Sequence, residues 1–558
     1  MYKYTFILLL CLLQPLLAAP PPVPSAGVVE REIEKEYESK PIEPDKQVPS
    51  VQIDIPKQHL EMPIGRKIRV DHVEIEGNTA FSEKEITSWI STYLHRELSM
   101  KDIYAMCAKI DEEYARRGYF LARAYPPPQT VDRRTLRIAI LEGKLGCISV
   151  IGNKHYSKEF IAGYFAPLQN KPLRYDKFLE ALMLLNENSD LAAGAVFEKG
   201  QDLGCADVVL RVYDKRPVHL YLNANNYGKD LTTNIRAGGR LDIGSLLKQG
   251  DKFSFAGVIG FPVEALYFTD AIYNIPLNKR GSSLEFAYLF SKFHIEELTS
   301  LHLKGRSDIA TVKFNQALTR TRSLSLDFFS YFDYKQIQNI ALGETVSFDK
   351  LRVLTAGLLF DHFTSKSGRD YLTIEVAAGI PGFLGGLKTV DSRSSRIGGG
   401  GRFFIFNADY DRLQHLPYDT YFYFHGSGQV SFNKLTLPEQ LYIGGADTVR
   451  GYPLAVALGD SGYYLNFEYR FPLPKIGESC FFRSGKKWKD ILQFDLFLDQ
   501  GGAFLNEGKN LFLCGTGFGL KINGPYTIGF SIDVGFPLIH RDLSKVAFTY
   551  MKLVAQPF

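Results

Sequence analysis

From Arg216 to Phe558 the chain alternates apolar with small or polar residues, and this period of two is the feature that most restricts its fold. Tyr463, Leu465, Phe467, Tyr469 and Phe471 interleave with Tyr464, Asn466, Glu468 and Arg470. Tyr526, Ile528, Phe530, Ile532, Val534 and Phe536 interleave with Thr527, Gly529, Ser531, Asp533 and Gly535, and Leu324, Leu326 and Phe328 with Ser323, Ser325 and Asp327. Successive side chains of a strand point to opposite faces, so each segment offers one apolar and one polar face. A soluble sandwich does the same. Here, however, the polar face recurs along the whole segment with no second hydrophobic code, which fits lipid outside and water inside. About sixteen strands are expected, an even count that closes an antiparallel barrel with both ends on one side. They begin near Pro217, Leu231, Lys252, Leu266, Ser282, Lys304, Arg322, Lys350, Arg369, Arg402, Asp419, Ser461, Asp490, Leu511, Tyr526 and Ser544.

Composition supports a barrel. The 41 Phe and 31 Tyr against 2 Trp suit strands and interfacial girdles. A net charge of +4 is too small to point to nucleic acid. After the N-terminus no run of about eighteen apolar residues occurs, which argues against a helical membrane protein. Met1–Ala19 has a short basic start, an apolar core and small residues, and reads as a secretory signal peptide. Residues 20–66 read as one helix followed by a proline-rich linker. Val29, Ile33 and Tyr37 recur at i, i+4, i+8 within the charged stretch Ala26–Lys40, and Pro41–Pro63 is a tether. Glu30, Arg31, Glu32, Glu34, Lys35 and Glu36 suit a wet channel, so this helix is expected to plug the barrel at rest.

Between the linker and the barrel lies an internal repeat. Val73–Ser82 (VEIEGNTAFS) recurs as Ile148–Ser157 (ISVIGNKHYS). Each copy offers a short strand, a Gly-Asn turn and a serine N-cap. Ser82-x-x-Glu85 opens a first helix and Ser99 with Asp102 a second, on which Ile103, Met106, Cys107, Ile110 and Tyr114 share one face until Gly118 ends it. Strand–helix–helix–strand–strand, twice, gives two α+β modules at 67–145 and 146–215, with the barrel at 216–558. With five of the six cysteines left after signal removal, Cys147 and Cys205 are expected to bridge. They start the first and third strands of the second module, which should be parallel neighbours, and both face away from the core.

Two motifs carry the sharpest chemistry. Val449-Arg450-Gly451-Tyr452 sits in a glycine-studded loop, and Phe497-Leu498-Asp499-Gln500-Gly501 in a later strand. If Phe494, Leu496 and Leu498 meet lipid, then Asp495, Phe497 and Asp499 face the lumen. A guanidinium there could grip the Asp499 carboxylate at two points. Gly459-Asp460-Ser461-Gly462 has the look of a serine-protease nucleophile, but it leads straight into a strand with no evident His–Asp pair nearby. The 11 histidines form no ligand-spaced cluster and no phosphate loop is present, so no catalytic residue, metal or cofactor is expected. Lys475, Arg483, Lys486, Lys487 and Lys489 read as a solvated periplasmic turn.

The V-R-G-Y loop paired with an F-x-D-x-G strand resembles the outer-membrane transporters of two-partner secretion, the haemolysin secretion/activation protein family. With their Gly-Asn signature, the tandem modules resemble polypeptide-transport-associated (POTRA) domains. The resemblance implies a bacterial outer-membrane pore with periplasmic N-terminal domains and no enzymatic activity. The POTRA modules would catch an unfolded, repeat-rich exoprotein by lending a sheet edge to its strand, and the barrel would pass it to the cell surface without nucleotide hydrolysis. The loop between strands eleven and twelve would fold inward and lock Arg450 to Asp499, with Gly451 turning the tip and Tyr452 packing beside it. The terminal Phe558 resembles the signal barrels show to their assembly machinery, with Pro557 a departure. A barrel-assembly insertase shares both motifs but usually carries more POTRA modules. A passive porin with periplasmic domains is disfavoured by the inward loop.

Overall fold

The computed structural model describes residues 26–29, 31, 33, 49–53, 67–228, 233–247, 249–295, 302–364, 368–473, 477, 479–480, 487–524, 527–539 and 546–557. The signal-peptide reading, most of the linker, Tyr37, Lys475, Arg483, Lys486 and Phe558 lie outside these residues. Sixteen antiparallel strands close a barrel between Val218–Asn225 and Phe548–Ala555. The closing pair is brief, from Leu222↔Ala555 to Asn225↔Lys552. Pro557 falls beyond the last ladder residue, so its missing N–H costs the sheet nothing.

Lipid-facing and lumen-facing residues alternate as the sequence requires. Leu496 and Leu498 are exposed on the outer face of strand thirteen (Leu492–Phe504), while Asp495, Phe497 and Asp499 are buried inside. Strand eight starts at Glu344 rather than near Lys350. Leu342 and Gly343 both hold positive φ and turn the chain in two residues, and leucine is not a residue that advertises such a turn.

The first module has the sheet order His72–Glu76, Thr135–Leu141, Arg123–Tyr125, covered by Glu83–Trp89 and Met100–Arg116. Ser82 accepts the Glu85 N–H, and Ser99 with Asp102 makes a full capping box. Ile103, Met106, Cys107, Ile110 and Tyr114 form the core. The second module orders its strands as Leu191–Lys199, Cys205–Asp214, Lys144–Ile151, beneath Lys158–Ala162 and Tyr175–Asn186. The Gly-Asn signature has one structural cause in both. Gly77 and Gly152 hold φ of 82° and 90°, where a Cβ would meet the Ile140 and Val212 carbonyl oxygens at 2.5 and 2.3 Å. Asn78 and Asn153 then donate to the Phe81 and Tyr156 carbonyls at 2.9 and 2.8 Å. Glu142 collects the Thr79 and Ala80 N–H groups, and Asp214 those of Lys154, His155 and Tyr156.

Two expectations are corrected here. Cys147 and Cys205 are free thiols. Their strands are parallel neighbours, but Cys205 lies opposite Lys144, and the register shifts between Leu145 and Ile148. Cys147 sits in that irregularity and donates its N–H to Asp207 at 2.8 Å, which carries it past Cys205. Nor is the linker only a tether. Val51–Ile53 forms a strand parallel to Leu191–Lys199, on the outer edge of the second module's sheet.

Alkylation of the native protein under non-reducing conditions should modify both Cys147 and Cys205, with no bridged peptide recovered. Cys107 should resist until unfolding, because burial, helped by the Asp111 charge, pushes its thiol up to about 12. Recovery of a 147–205 bridged peptide would contradict the observed register.

Candidate functional site

Strands eleven (Thr420–Val430) and twelve (Ser461–Pro472) are joined by a long loop whose own hairpin, Leu441–Ile443 with Ala457–Gly459, is buried inside the barrel. Asp460 ties its base. This fully buried carboxylate accepts the Leu435 and Asn506 N–H groups at 3.0 and 2.9 Å and also pairs with Arg396. Ser461 exchanges hydrogen bonds with the Ser431 backbone at 3.0 and 3.1 Å.

The tip is anchored on strand thirteen. Arg450 is only 4% exposed. Its Nε donates to Asp499 Oδ2 at 2.7 Å and its Nη2 to Oδ1 at 3.0 Å, while its backbone N–H adds a third bond to Oδ2 at 3.0 Å. The two-pronged grip expected from the sequence is thus present. The remaining edge of the guanidinium reaches Glu468 Oε1 at 2.8 Å, with Asp533 at 3.8 Å. Its face lies 3.6 Å from the Phe497 ring centroid, a cation–π contact in a water-poor setting.

Each letter of the two motifs has a physical job. Phe497 is the platform, Asp499 the clamp, and Gly501 the gap. A Cβ on Gly501 would approach Val449 Cγ2 to 2.9 Å. Gly451 holds φ at 93°, and a Cβ there would strike the Phe536 backbone at 2.8 Å. The Gly451 N–H donates to the Tyr550 hydroxyl, which donates to the Tyr452 carbonyl at 2.8 Å. The Tyr452 hydroxyl lies 2.8 and 3.0 Å from the Cys514 and Ile539 carbonyl oxygens.

Sequence reasoning missed Glu468, Asp533, Tyr550 and the glycines beneath the tip. A Cβ on Gly515 would come within 1.9 Å of the Arg450 carbonyl oxygen, and one on Gly535 within 2.5 Å of the Gly451 nitrogen. The available signal was Gly515, Gly517 and Gly519, three glycines on the lumen face of strand fourteen (Leu511–Asn523). Glu468 is shared. Arg470 and Lys521 also bond its Oε2, at 2.7 and 3.0 Å.

A second element enters the lumen. The helical residues 26–29, 31 and 33 lie against inward-facing side chains of the early strands, including Leu266, Phe268, Leu289, Phe293, Ile309 and Ile337. The contact is apolar, through Ala26, Val29 and Ile33, while Glu30, Glu32, Glu34, Lys35 and Glu36, the charges expected to suit the channel, lie outside the described residues. Here the lumen wall carries a hydrophobic patch. Arg31 Nη1 donates to the Pro438 and Gln440 carbonyls, both at 2.8 Å, so the helix also grips the inward loop. Gly27 permits this, since a Cβ there would meet Pro438 Cβ at 2.5 Å.

A closed sixteen-stranded barrel with an inward-locked loop and α/β modules at its N-terminal side defines an outer-membrane protein transporter with periplasmic domains. The chain belongs to the family described as haemolysin secretion/activation protein ShlB/FhaC/HecB, whose model matches residues 204–522, and a ShlB-type POTRA domain matches residues 68–143. It is 21% identical over 547 residues to the heme/hemopexin transporter protein HuxB of Haemophilus influenzae, covering 91% of each chain. It is similar in structure to CdiB from Escherichia coli, with a TM-score of 0.73 at 18% identity, covering 90% of this chain and 92% of that one. For CdiB from Acinetobacter baumannii the TM-score is 0.67 at 15% identity, covering 95% and 96%. Its activity is two-partner secretion, the passage of an exoprotein across the outer membrane.

Removing one partner of a buried, hydrogen-bonded charge pair leaves the other uncompensated, at a cost of about 3–5 kcal/mol when burial is complete. Arg450→Ala should therefore abolish secretion of the exoprotein while leaving a heat-modifiable barrel in the membrane. Asp499→Ala should match it, and the double variant should be little worse than either, because coupled residues are not additive. Arg450→Lys should also fail, since a single ammonium cannot span Asp499 and Glu468 in this planar geometry. Normal secretion by the single variants, or defects that simply add, would count against the lock.

Proposed function

We propose that the barrel rests closed, with the N-terminal helix as a plug and the Arg450 loop as a fixed lumen wall, until an unfolded, repeat-rich exoprotein is captured by the modules at 67–145 and 146–215. The exoprotein then crosses the lumen as an extended chain and folds outside, which draws the transfer forward without nucleotide hydrolysis. The observation that carries this reading is the double occupancy of the lumen. The helix is held by Ala26, Val29 and Ile33 on one side and by Arg31 on the loop on the other. An apolar patch on a water-filled wall is unfavourable unless something covers it, and the helix does.

The chain acts as a conduit rather than an enzyme. Supporting this, Ser461 is held by the Ser431 backbone and Asp460 by Arg396 and neighbouring amides, which makes the Gly-Asp-Ser-Gly motif a loop clamp. The two modules with a lumen helix favour secretion over barrel assembly, and the inward loop disfavours a simple porin. The barrel itself is inserted by the outer-membrane assembly machinery, to which its last strand is presented.

Deleting residues 26–40 should raise single-channel conductance in planar bilayers. Gly27→Leu should raise the open probability by pushing the helix off Pro438. Unchanged conductance in both would reject the plug. Deleting the gene should remove one protein from the culture medium, and an unaltered medium would reject the secretion partner.

A further inference from the structure

Strands five (Ser282–Ile295), six (Leu303–Arg320), seven (Leu324–Ala341) and eight (Glu344–Thr364) form a tall side of the barrel. A tilted strand needs about 9–11 residues to cross the apolar layer. Strand eight has 21. Arg320, at one end of strand six, pairs with Glu187 of the second module, which fixes that end at the periplasmic surface and puts the surplus height on the cell-surface side. The outward face changes character along that height. Phe286 and Val312 are exposed to lipid, with Phe332 opposite Val312 and Leu354 opposite Phe332. One pair higher, Tyr288 and Tyr334 flank Ala310. Lys292, Lys304, Arg306 and Lys350 stand above them, and Arg352 is level with Tyr334. Among the described residues, one carboxylate shares this outward face, Asp308, and Arg306 already holds it at 2.7 and 3.0 Å.

Other stretches of the outer wall lack this step. Strand three (Lys252–Phe261) presents Phe255, Ile259 and Phe261, and strand thirteen Leu496 and Leu498, with no cation on either outward face. Arg352 marks the boundary between apolar and basic surface. Its guanidinium lies 3.4 Å from the Tyr334 ring centroid and donates to the Lys335, Leu351 and Leu384 carbonyls at 3.0, 2.6 and 2.9 Å. Its Nε is buried without a partner, and among the described residues no carboxylate pairs with it. The Leu384 contact folds the turn Phe383–Gly385 over the outer wall, where Phe383 meets Phe332 edge-on at 6.0 Å and both Phe383 and Leu384 stay exposed. A positive charge left unneutralised beside lipid calls for an anion from outside the chain. An open cavity of about 430 Å³ lies between the tyrosines and the cations, lined by Tyr288, Arg306, Asp308, Tyr334, Gln336 and Gln338.

We propose that this wall is a binding site for a phosphorylated glycolipid of the outer leaflet. Lys292, Lys304, Arg306 and Lys350 face its phosphates, while Arg352 holds the Leu384 turn and adds its charge. The glutamine amides and Asp308 meet sugar hydroxyls. Phe383, Leu384 and the apolar wall below meet the acyl chains. The cations lie directly above lipid-facing surface, which fits a lipid headgroup rather than a free phosphate. The polar lining of the cavity favours a sugar headgroup, because a glycerol headgroup would leave those groups unused. The site lies outside the conduit and shares no residue with the Arg450 lock.

The test titrates the delipidated full-length transporter in detergent with diphosphoryl lipid A, and native mass spectrometry follows the bound lipid. The wild type should bind saturably. Lys292→Gln/Lys304→Gln/Lys350→Gln should weaken binding roughly a hundredfold, about fivefold for each cation lost. Arg352→Gln, which frees the Leu384 turn, should weaken it about fivefold. Lys313→Gln, a lumen-facing change on strand six, should leave it unaltered. Dephosphorylated lipid A should bind the wild type as poorly as the diphosphoryl lipid binds the triple variant, and excess inorganic phosphate should not displace it. Heat-modifiability would show that each variant is folded. Equal binding by the wild type and the triple variant would overturn the proposal. So would an equal loss with Lys313→Gln, displacement by inorganic phosphate, or phosphatidylglycerol held as tightly as lipid A.

Discussion

A guanidinium buried in a membrane barrel must be neutralised where it sits, and the Arg450 tip meets that requirement with carboxylates on the wall. Asp499 takes the two-pronged contact and Glu468 the remaining edge. Glu468 is in turn shared with Arg470 and Lys521, and Lys521 lies 3.5 Å from Asp495. The result is a network of alternating charge, within which a single truncation strands more than one partner. The desolvation cost of such a cluster is large, so its contribution is better seen as position than as stability. It fixes where the tip of a long loop rests.

Room for that loop comes from missing side chains. The tip lies on strand fourteen and on strand fifteen (Ile528–Pro537) because Gly515 and Gly535 offer backbone there, and it turns because Gly451 accepts positive φ. Once placed, the loop presents Pro438 and Gln440 to the N-terminal helix. The order of dependence therefore runs from the strand-thirteen carboxylate, through the loop, to the plug. The apolar patch on the opposite wall provides the second half of the helix's seat.

Much of this was legible in the sequence because period and chemistry agree. Alternation over the C-terminal segment reported a barrel. The lumen side of strand thirteen followed from Leu496 and Leu498, and the pairing of Arg450 with Asp499 chiefly from the family resemblance that the V-R-G-Y and F-x-D-x-G motifs carry. Glu468 was open to the same reasoning, since it lies on the polar face with Asn466 and Arg470. What failed depended on register or distance. A local irregularity separates Cys147 from Cys205, and no sequence rule places it there. The pairing of Val51–Ile53 spans more than a hundred residues and rests on three positions between prolines, too few to show a period. The stripe of Val29 and Ile33 was read and the helix was expected in the lumen, but the apolar patch it meets there was not foreseen, because that patch is assembled from several different strands.

The central claim is that Arg450 holds the loop tip against strand thirteen. Disulfide trapping in intact outer membranes tests it directly, using Val449→Cys with Gly501→Cys, the two positions at which side chain and gap meet. With Arg450 present the bridge should form spontaneously and in high yield, and with Arg450→Ala it should be largely lost while the barrel remains folded. Equal bridging with and without Arg450, or no bridging when Arg450 is intact, would contradict the account.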